Sequence, residues 1–274
     1  HYLFFSFQCL RRGISVKALT RTGEWTSPPT PPGAMTTYEG DISKLLTISQ
    51  CDVTKVDLDA LTGILKGCSA VIYAASASKK GGTAQAVDNL GVVRVASASV
   101  AAKVPRCVII SSTATTRPKS LGYVFTNLGV GGNIMGEKRN GELGTMAAYQ
   151  TTDNKSSSYT IVRPGGLEEA KRDSVLGPST LELSQGDVFS GIISRADVAE
   201  VTVELALSNP ANLKNTAVEL YYTNSVVEVE RKFKPLLAAA RKEGSPENKL
   251  LRVHGNTYSE LLQGVRPGID YSTE

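Results

Sequence analysis

Short apolar runs rich in β-branched residues alternate with longer runs of helical periodicity along this chain. The apolar runs lie at residues 14–21, 45–54, 69–78, 106–113, 157–166 and 216–222. Such alternation is typical of βαβ units, in which helices connect parallel strands and cover both faces of the sheet. The pattern therefore predicts an α/β fold with a doubly wound parallel sheet.

Helical periodicity fills the intervals between these runs. It predicts helices over residues 57–67, about 88–103, near 131–149 and over 193–209, and the end of one helix at residues 8–13. In the first of these, three leucines recur at helical spacing and a glycine follows as a stop signal. In the segment at 193–209, Ser194 is predicted to cap the helix, with Asp197 three residues later as its reciprocal partner.

The chain divides into two parts of different character. Residues 1–225 carry the alternating pattern, and residues 226–274 carry a helical pattern around Phe233 and Leu237. We expect the second part to be a helical extension that packs on the domain or on a protein partner. A segment rich in proline, threonine and glycine at residues 22–40 is predicted to be a long loop.

Composition narrows the classes of ligand. The 30 basic and 26 acidic residues are mixed along the chain, and this distribution argues against nucleic-acid binding. No apolar run reaches the length that spans a membrane. The four cysteines have no CxxC spacing, which favours reduced, buried thiols in an intracellular protein. Because the chain has two histidines, a metal cluster is not expected, and a small molecule is the expected ligand.

Polar side chains follow the first two predicted strands, at the ends where ligands bind in a doubly wound sheet. Arg21 stands where a protein selective for NAD has an acid, and a guanidinium there suits the 2′-phosphate of NADP. The alternative is a solvated arginine. After the second strand, Asp52 can accept a hydrogen bond from an adenine amino group while Val53 lies on the ring, or Asp52 can simply cap a helix.

Small side chains follow the next two strands. Ala74, Ala75 and Ser76 have so little bulk that a ligand can approach the backbone closely, as at glycine-rich turns that bind pyrophosphate. The alternative is that they fit a crowded crossing of the sheet. After the fourth strand, Ser111 and Ser112 can hydrogen-bond a substrate carbonyl, or can only cap the loop.

Several segments carry a family resemblance in a consistent order. "YTIVRPGGL" stands at residues 159–167 and "ISRADVAEV" at 193–201, and "GCSAVIYAAS", "VPRCVIISS" and "KRNGE" precede them. Over residues 9–207 the chain resembles the atypical short-chain dehydrogenase/reductases, in particular the NmrA-like, NAD(P)H-binding group. The resemblance implies a Rossmann-type fold that binds NADP(H), with NAD(H) as the alternative cofactor.

The resemblance also implies roles for residues in the second half of the chain. Lys138, in the "KRNGE" segment, is expected to hydrogen-bond the nicotinamide ribose, with Glu142 one turn later orienting it. Pro164, Gly165 and Gly166 are expected to form the turn whose backbone meets the nicotinamide amide.

The chain departs from the family pattern at two places. The family's glycine turn would fall at or before His1, so the chain is expected to lack its first strand and its phosphate-binding turn. The usual acid, a tyrosine four residues before the lysine, is replaced by Ile134. Tyr123 on the preceding loop is the alternative acid, although a lone loop tyrosine is commonly structural. Ser111 and Lys138 are then the candidate catalytic pair.

Three functions stay open at this point. The first is an NADP-dependent oxidoreductase acting on a small carbonyl substrate. The second is a non-catalytic dinucleotide-binding scaffold, redox sensor or plastid assembly factor, which the missing tyrosine favours. The third is a fold that has lost its ligand, which the missing glycine turn favours. The expected compartment is intracellular, either plastid or cytoplasm.

Overall fold

Eight α-helices and twelve strands lie within the residues that the computed structural model describes, which are 2–24, 44–77, 81–152, 156–168, 175–208, 211–240 and 252–266. The strands are β1 (Val16–Thr20), β2 (Leu46–Gln50), β3 (Ala70–Tyr73), β4 (Arg106–Ile110), β5 (Ser158–Pro164), β6 (Gly166–Leu167), β7 (Leu181–Ser184), β8 (Phe189–Ser190), β9 (Ile192–Ile193), β10 (Thr216–Tyr222), β11 (Val227–Glu228) and β12 (Arg252–Val253). The helices are α1 (Tyr2–Arg11), α2 (Leu58–Leu65), α3 (Val92–Ala101), α4 (Leu121–Val130), α5 (Ile134–Gln150), α6 (Arg195–Leu207), α7 (Lys234–Ala240) and α8 (Tyr258–Gln263), and a π-helix spans Gln85–Gly91. The loop predicted at 22–40 lies outside the described residues from residue 25 onward.

A six-stranded sheet forms the centre of the fold, in the order β3, β4, β5, β10, β7, β12. The first four strands are parallel neighbours, β7 runs antiparallel to β10, and β12 runs antiparallel to β7. The four parallel strands come from four of the apolar runs in the sequence. The prediction of an α/β fold with a mainly parallel sheet is therefore confirmed.

Alternate residues of the parallel strands face two different helical layers. Val108 and Val162 pack in a core that includes residues of α1, α6 and α8. Cys107, Ile109 and Ile161, one position along, pack in a second core with α2, α3 and α5. All five side chains are at most 1% exposed. A strand covered on both faces reads as a continuous apolar run, which explains why these strands were recognisable from the sequence.

β1 and β2 pair in parallel with each other, and neither is paired with the six-stranded sheet within the described residues. Helix α1 precedes β1 and ends at Arg11, and Gly13 follows with a φ of +69°, the left-handed conformation that glycine adopts without strain. The helix end and glycine stop predicted at residues 8–13 are confirmed. From Tyr2 onward the segment "HYLFFSF" lies in this helix and not in a strand.

The predicted helices are observed, and one further helix, α4, lies around residue 125, where none was predicted. The predicted cap is present, because Ser194 Oγ accepts from the Asp197 amide at 3.0 Å. The reciprocal bond is not made, since the Ser194 amide donates to the Tyr222 hydroxyl at 3.2 Å. The helix predicted over 88–103 is observed as the π-helix followed by α3, and that near 131–149 as α5. Helix α4 was not predicted, so Tyr123 lies on a helix and not on a loop. Its residues Leu121, Val124, Phe125 and Leu128 recur at helical spacing, but this apolar stripe is exposed and does not face the core.

The described part of residues 226–274 is not purely helical. β11 pairs with β8, and β12 pairs with β7 at the end of the central sheet. Leu261 and Leu262 of α8 lie in the same core as α6. β12 therefore covers the edge that β7 would otherwise leave unpaired.

Candidate functional site

The carboxyl ends of β3, β4 and β5 lie side by side, because these strands are parallel neighbours. The term carboxyl edge is used here for the residues that follow them, which are Ala74, Ala75, Ser76, Ser111, Pro164, Gly165 and Gly166. The Ser111 amide donates to the Val162 carbonyl at 2.7 Å, and the Thr113 amide donates to the Pro164 carbonyl at 3.0 Å. The structure thus brings these predicted site residues together.

The loop after β2 packs against the π-helix and the start of α3, which follow β3 in the chain. Arg94 of α3 donates to the Val53 carbonyl. A β-carbon added at Gly91 would lie 3.2 Å from Val53 Cγ2, so glycine there allows the loop to pack closely against the helix that follows β3. Asp52 accepts from the amide and hydroxyl of Thr54 at 3.0 and 2.7 Å. These bonds lower the pKa of Asp52, which is therefore ionised and begins a local turn.

Arg21 lies just beyond the end of β1 and is exposed. Its carbonyl accepts a hydrogen bond from Gln50 at 3.3 Å. Its guanidinium forms no hydrogen bond or ion pair with any other residue in the described part of the chain. Its charge helps to lower the pKa of Asp52, and the exposed guanidinium can also meet an anion from solvent.

Lys138 of α5 forms an ion pair with Asp88. The Nζ to Oδ1 distance is 2.7 Å, and the two side chains are 14% and 0% exposed. The Ser76 hydroxyl donates to the same oxygen at 2.7 Å, and the Ala77 amide donates to Oδ2 at 2.8 Å. Asp88 therefore joins Lys138 to the loop after β3. The expectation that Glu142 orients Lys138 is wrong, because Asp88 occupies that role.

The π-helix is what places Asp88 at this junction. In the wider turn of the π-helix, the Val87 carbonyl accepts a hydrogen bond from the Tyr73 hydroxyl at 2.7 Å. This bond anchors the helix to the end of β3. Helix α5 crosses closely, since a β-carbon added at Gly141 would lie 2.4 Å from the Asp88 carbonyl oxygen. Sequence reasoning missed Asp88. The available signal was a single acid between the apolar residues Val87 and Val92, both of which are buried.

Glu142, one turn after Lys138, is a buried carboxylate that receives five hydrogen bonds. The donors are the hydroxyls of Ser111 (2.6 Å) and Thr115 (3.2 Å), Arg163 Nε (3.0 Å) and Nη2 (2.8 Å), and Arg139 Nη1 (3.0 Å). Burial by itself raises the pKa of Glu142, but the charge and hydrogen bonds of Arg163, with the bond from Ser111, bring it below its ordinary value. Glu142 is therefore ionised and fixes the orientation of Ser111.

Arg163 lies between two buried carboxyl groups, those of Glu142 and Glu219, and its single positive charge can balance only one negative charge. It makes two bonds to Glu142 but only one, of 3.2 Å, to Glu219 Oε1. Burial raises the pKa of Glu219 to about 8, since the single long bond from Arg163 does not offset it and the charge of Asp187 adds to it. At neutral pH Glu219 therefore keeps its proton, and the charge of Arg163 balances that of Glu142.

The residue four positions before Lys138, where the family usually has a tyrosine, is part of the hydrophobic core. Ile134 is 4% exposed and packs with Ala84, Ala114 and Met135. The hydroxyl of Tyr123 lies 3.4 Å from the side-chain oxygen of Asn133. Asn133 directly precedes α5 and does not follow any of the strands that form the carboxyl edge. Within the described residues, no tyrosine is hydrogen-bonded to Lys138.

The turn after β5 uses its amide hydrogens inside the protein. Pro164 has none, the Gly165 amide donates to the Leu220 carbonyl at 2.9 Å, and the Gly166 amide donates to the Gly191 carbonyl at 2.8 Å. A β-carbon added at Gly165 would lie 2.3 Å from the Gly191 oxygen, so the two loops touch. The turn consequently has carbonyl oxygens, and not these amide hydrogens, to offer to a ligand.

Other features of the described residues lie apart from the carboxyl edge. A cavity of about 240 Å³ beside α1 and α6 is lined by Gln8, Arg11, Arg12, Val175 and Glu200, and no carboxyl-edge residue lines it. Across the described ranges, no group of histidine, cysteine and acidic side chains is placed to hold a metal ion. No helix within them is long and apolar enough to cross a membrane. The four cysteines are free thiols.

Sequence comparison identifies relatives over most of the chain. Residues 8–210 match the model of a family described as NAD(P)H-binding. A chloroplastic protein of Arabidopsis thaliana is 31% identical over 215 residues, which cover 76% of this chain and 68% of that protein. A protein of Saccharomyces cerevisiae is 28% identical over 169 residues, which cover 61% of this chain and 69% of that protein.

Solved structures share the fold at low sequence identity. The oxidoreductase ylbE of Lactococcus lactis has a TM-score of 0.57 at 18% identity, over 85% of this chain and 91% of that chain. The Bordetella bronchiseptica enzyme WbmH, solved in complex with NAD+, has a TM-score of 0.52 at 13% identity, over 89% of this chain and 78% of that chain. These similarities confirm the Rossmann-type fold.

Proposed function

The chain belongs to the NAD(P)H-binding family, and from that premise we propose that it binds NADP(H) at the carboxyl edge and acts as an atypical short-chain oxidoreductase on a small carbonyl substrate. The observation that carries this proposal is the placement of Lys138. Its ion pair with Asp88 holds the ammonium group beside the loop after β3, next to Ser76. An ammonium has three N–H donors, so two remain for the hydroxyls of a nicotinamide ribose.

The chemistry of the carboxyl edge fits a dinucleotide. Ala74 and Ala75 add almost no bulk at the end of β3, which lets a ligand approach the backbone closely. Gly166 is exposed at the end of β5. When bound, the nicotinamide supplies the hydride, and the side chains described here supply position and charge. In this proposal Lys138 binds the ribose, Ser111 faces the substrate, and the Pro164–Gly166 turn accepts from the nicotinamide amide.

Selectivity for NADP over NAD is proposed to come from Arg21. It stands after β1, where an acid would bind the ribose hydroxyl of NAD, and its guanidinium is exposed. A planar guanidinium binds a phosphate through two parallel hydrogen bonds. Asp52 and Val53, after the neighbouring β2, are proposed to contact the adenine.

A non-catalytic scaffold or redox sensor is the second candidate function, and Ile134 favours it. A buried isoleucine at the usual tyrosine position leaves no phenol to exchange a proton with substrate. For either function we propose a plastid location, because the Arabidopsis relative is described as chloroplastic. A protein partner of the scaffold would contact residues 226–274.

Cofactor binding is tested by titrating the full chain with NADPH and following nicotinamide fluorescence. Lys138→Met is expected to weaken binding about tenfold, the effect of losing one charge-assisted hydrogen bond. Lys66→Met, at an exposed lysine that ends α2, is the matched control and is expected to leave the affinity unchanged. Absence of binding of both NADPH and NADH by the wild type would overturn the proposal.

Turnover separates the two candidate functions. The NADPH-bound protein is mixed with a panel of small aldehydes, ketones and quinones, and NADPH absorbance is followed. Consumption of NADPH that Ser111→Ala reduces supports the oxidoreductase. A protein that binds NADPH tightly and consumes it with no member of the panel supports the scaffold.

A further inference from the structure

The hydroxyl of Ser111 already donates its only proton within the protein. Ser111 follows β4 at the carboxyl edge, and its Oγ donates to Glu142 Oε1 at 2.6 Å. A serine hydroxyl has one hydrogen and two lone pairs. What Ser111 has left for a ligand is therefore lone pairs.

The direction of this hydrogen bond is set by the charge of Glu142. The carboxylate is 1% exposed, and its other donors are Thr115, Arg139 and Arg163. The two guanidinium groups cannot accept a hydrogen bond and do not lose their protons. An ionised Glu142 has no proton to give, so Ser111 must be the donor.

Neighbouring polar groups at the same edge are arranged alike. The hydroxyl of Ser76 donates to Asp88 Oδ1 at 2.7 Å, and that of Ser112 donates to the Thr113 carbonyl at 3.2 Å. The amides of Gly165 and Gly166 are also bonded within the protein. These four groups therefore have no free hydrogen to offer a ligand, whereas Lys138 keeps two N–H donors.

We propose that Ser111 is a specificity-determining residue that accepts a hydrogen bond from the substrate, so that the site binds the hydroxyl member of a carbonyl and alcohol pair in preference to the carbonyl member. This inference rests on the proposed function and names the substrate class more closely. A carbonyl oxygen has only lone pairs, so facing Ser111 it would find no hydrogen to accept and would lose its bond to water. An alcohol or amine supplies the hydrogen that Ser111 lacks.

The test compares an alcohol with its methyl ether, in which a methyl group replaces the donor hydrogen. 4-Fluorobenzyl alcohol and 4-fluorobenzyl methyl ether are titrated by fluorine NMR into the full chain saturated with NADPH, with which neither reacts. The wild type is expected to bind the alcohol about fivefold more tightly than the ether, the ratio that one neutral hydrogen bond provides. Equal binding of the two probes, or failure of both to bind, overturns the inference.

Two variants show whether Ser111 is the acceptor. Ser111→Ala leaves Glu142 its four other donors, so the fold is retained and the preference for the alcohol is expected to disappear. Ser259→Ala, at an exposed serine of α8, is the matched control and should keep the preference. A melting curve of Ser111→Ala confirms that the variant folds. An alcohol preference that persists in Ser111→Ala overturns the inference.

NADPH binding, measured first by fluorescence, separates this inference from the proposed function. A protein that binds NADPH but prefers neither probe contradicts the role of Ser111 alone. A protein that binds no dinucleotide contradicts the proposed function and this inference together.

Discussion

The ammonium nitrogen of Lys138 lies 2.7 Å from Oδ1 of Asp88, although fifty residues separate the two in the sequence. The Asp88 side chain has no exposure to solvent. The lysine proposed to bind the cofactor is thus also the cation that neutralises a buried carboxylate. Its removal is expected to change both folding and binding, so the two effects have to be measured separately.

Lys138→Met is expected to destabilise the fold by about 1 to 3 kcal/mol, because Asp88 keeps its charge and loses its cation. The double variant Asp88→Asn with Lys138→Met should recover part of this loss. Urea unfolding of the wild type, both single variants and the double variant measures the coupling. Lys66→Met is expected to change stability by no more than about 0.5 kcal/mol. An equal effect of Lys138→Met and Lys66→Met would show that the ion pair does not stabilise the protein.

Arg21→Ala is expected to weaken NADPH binding by about 1 to 3 kcal/mol, since a charge-assisted hydrogen bond to the 2′-phosphate is lost. NADH has a hydroxyl at this position, so its affinity should be nearly unchanged. Calorimetric titration of both nucleotides provides the measurement. Arg11→Ala, at an exposed arginine that ends α1, serves as the control. Equal affinities of the wild type for NADPH and NADH would contradict the role assigned to Arg21.

Stability is expected to fall as the pH rises between about 5 and 8 because of Glu219. Its pKa is about 8 in the folded protein and ordinarily 4.5, so unfolding in this range releases a proton and rising pH favours the unfolded chain. The contribution of one group is at most about 1.4 kcal/mol per pH unit. The lowered pKa of Glu142 acts in the opposite direction and only at more acidic pH.

The variant for this prediction is Glu219→Gln, which cannot ionise and is expected to flatten the decline. Urea unfolding at several pH values between 5 and 8 measures the difference in free energy of unfolding. The free energy of unfolding of the variant should increase relative to that of the wild type as the pH rises. Parallel profiles of the two proteins would mean that Glu219 is ionised in the fold.

Gly141→Ala is expected to destabilise the fold by about 1 to 3 kcal/mol, the usual cost of overpacking. The added carbon would lie 2.4 Å from the Asp88 carbonyl oxygen, so α5 would have to move away from the π-helix. Gly63→Ala in α2 is the matched control, since its added carbon meets nothing within 4 Å. It should stabilise by about 0.5 to 1 kcal/mol. Melting temperatures that shift in the same direction for both variants would contradict the close crossing of α5.

Local patterns in the sequence by themselves determined most of the fold class. The run at 106–113 contains β4, and the run at 157–166 contains β5, because the centre of a strand buried on both faces is apolar. The cap at Ser194 was recognisable because its partner Asp197 is three residues away. The order of motifs identified the family, and the spacing from Lys138 revealed the missing tyrosine.

Only the tertiary structure decided which polar side chains meet at the carboxyl edge. Glu142 was expected to orient Lys138 from its place one turn later, yet it binds Ser111, which is thirty-one residues away in the sequence. Asp88 reaches Lys138 because the π-helix and the close crossing of α5 bring them together. Such pairings depend on how distant elements pack, and they leave no periodic signal in the local sequence. The proton of Ser111, and with it the chemistry proposed for this site, is therefore set by the fold.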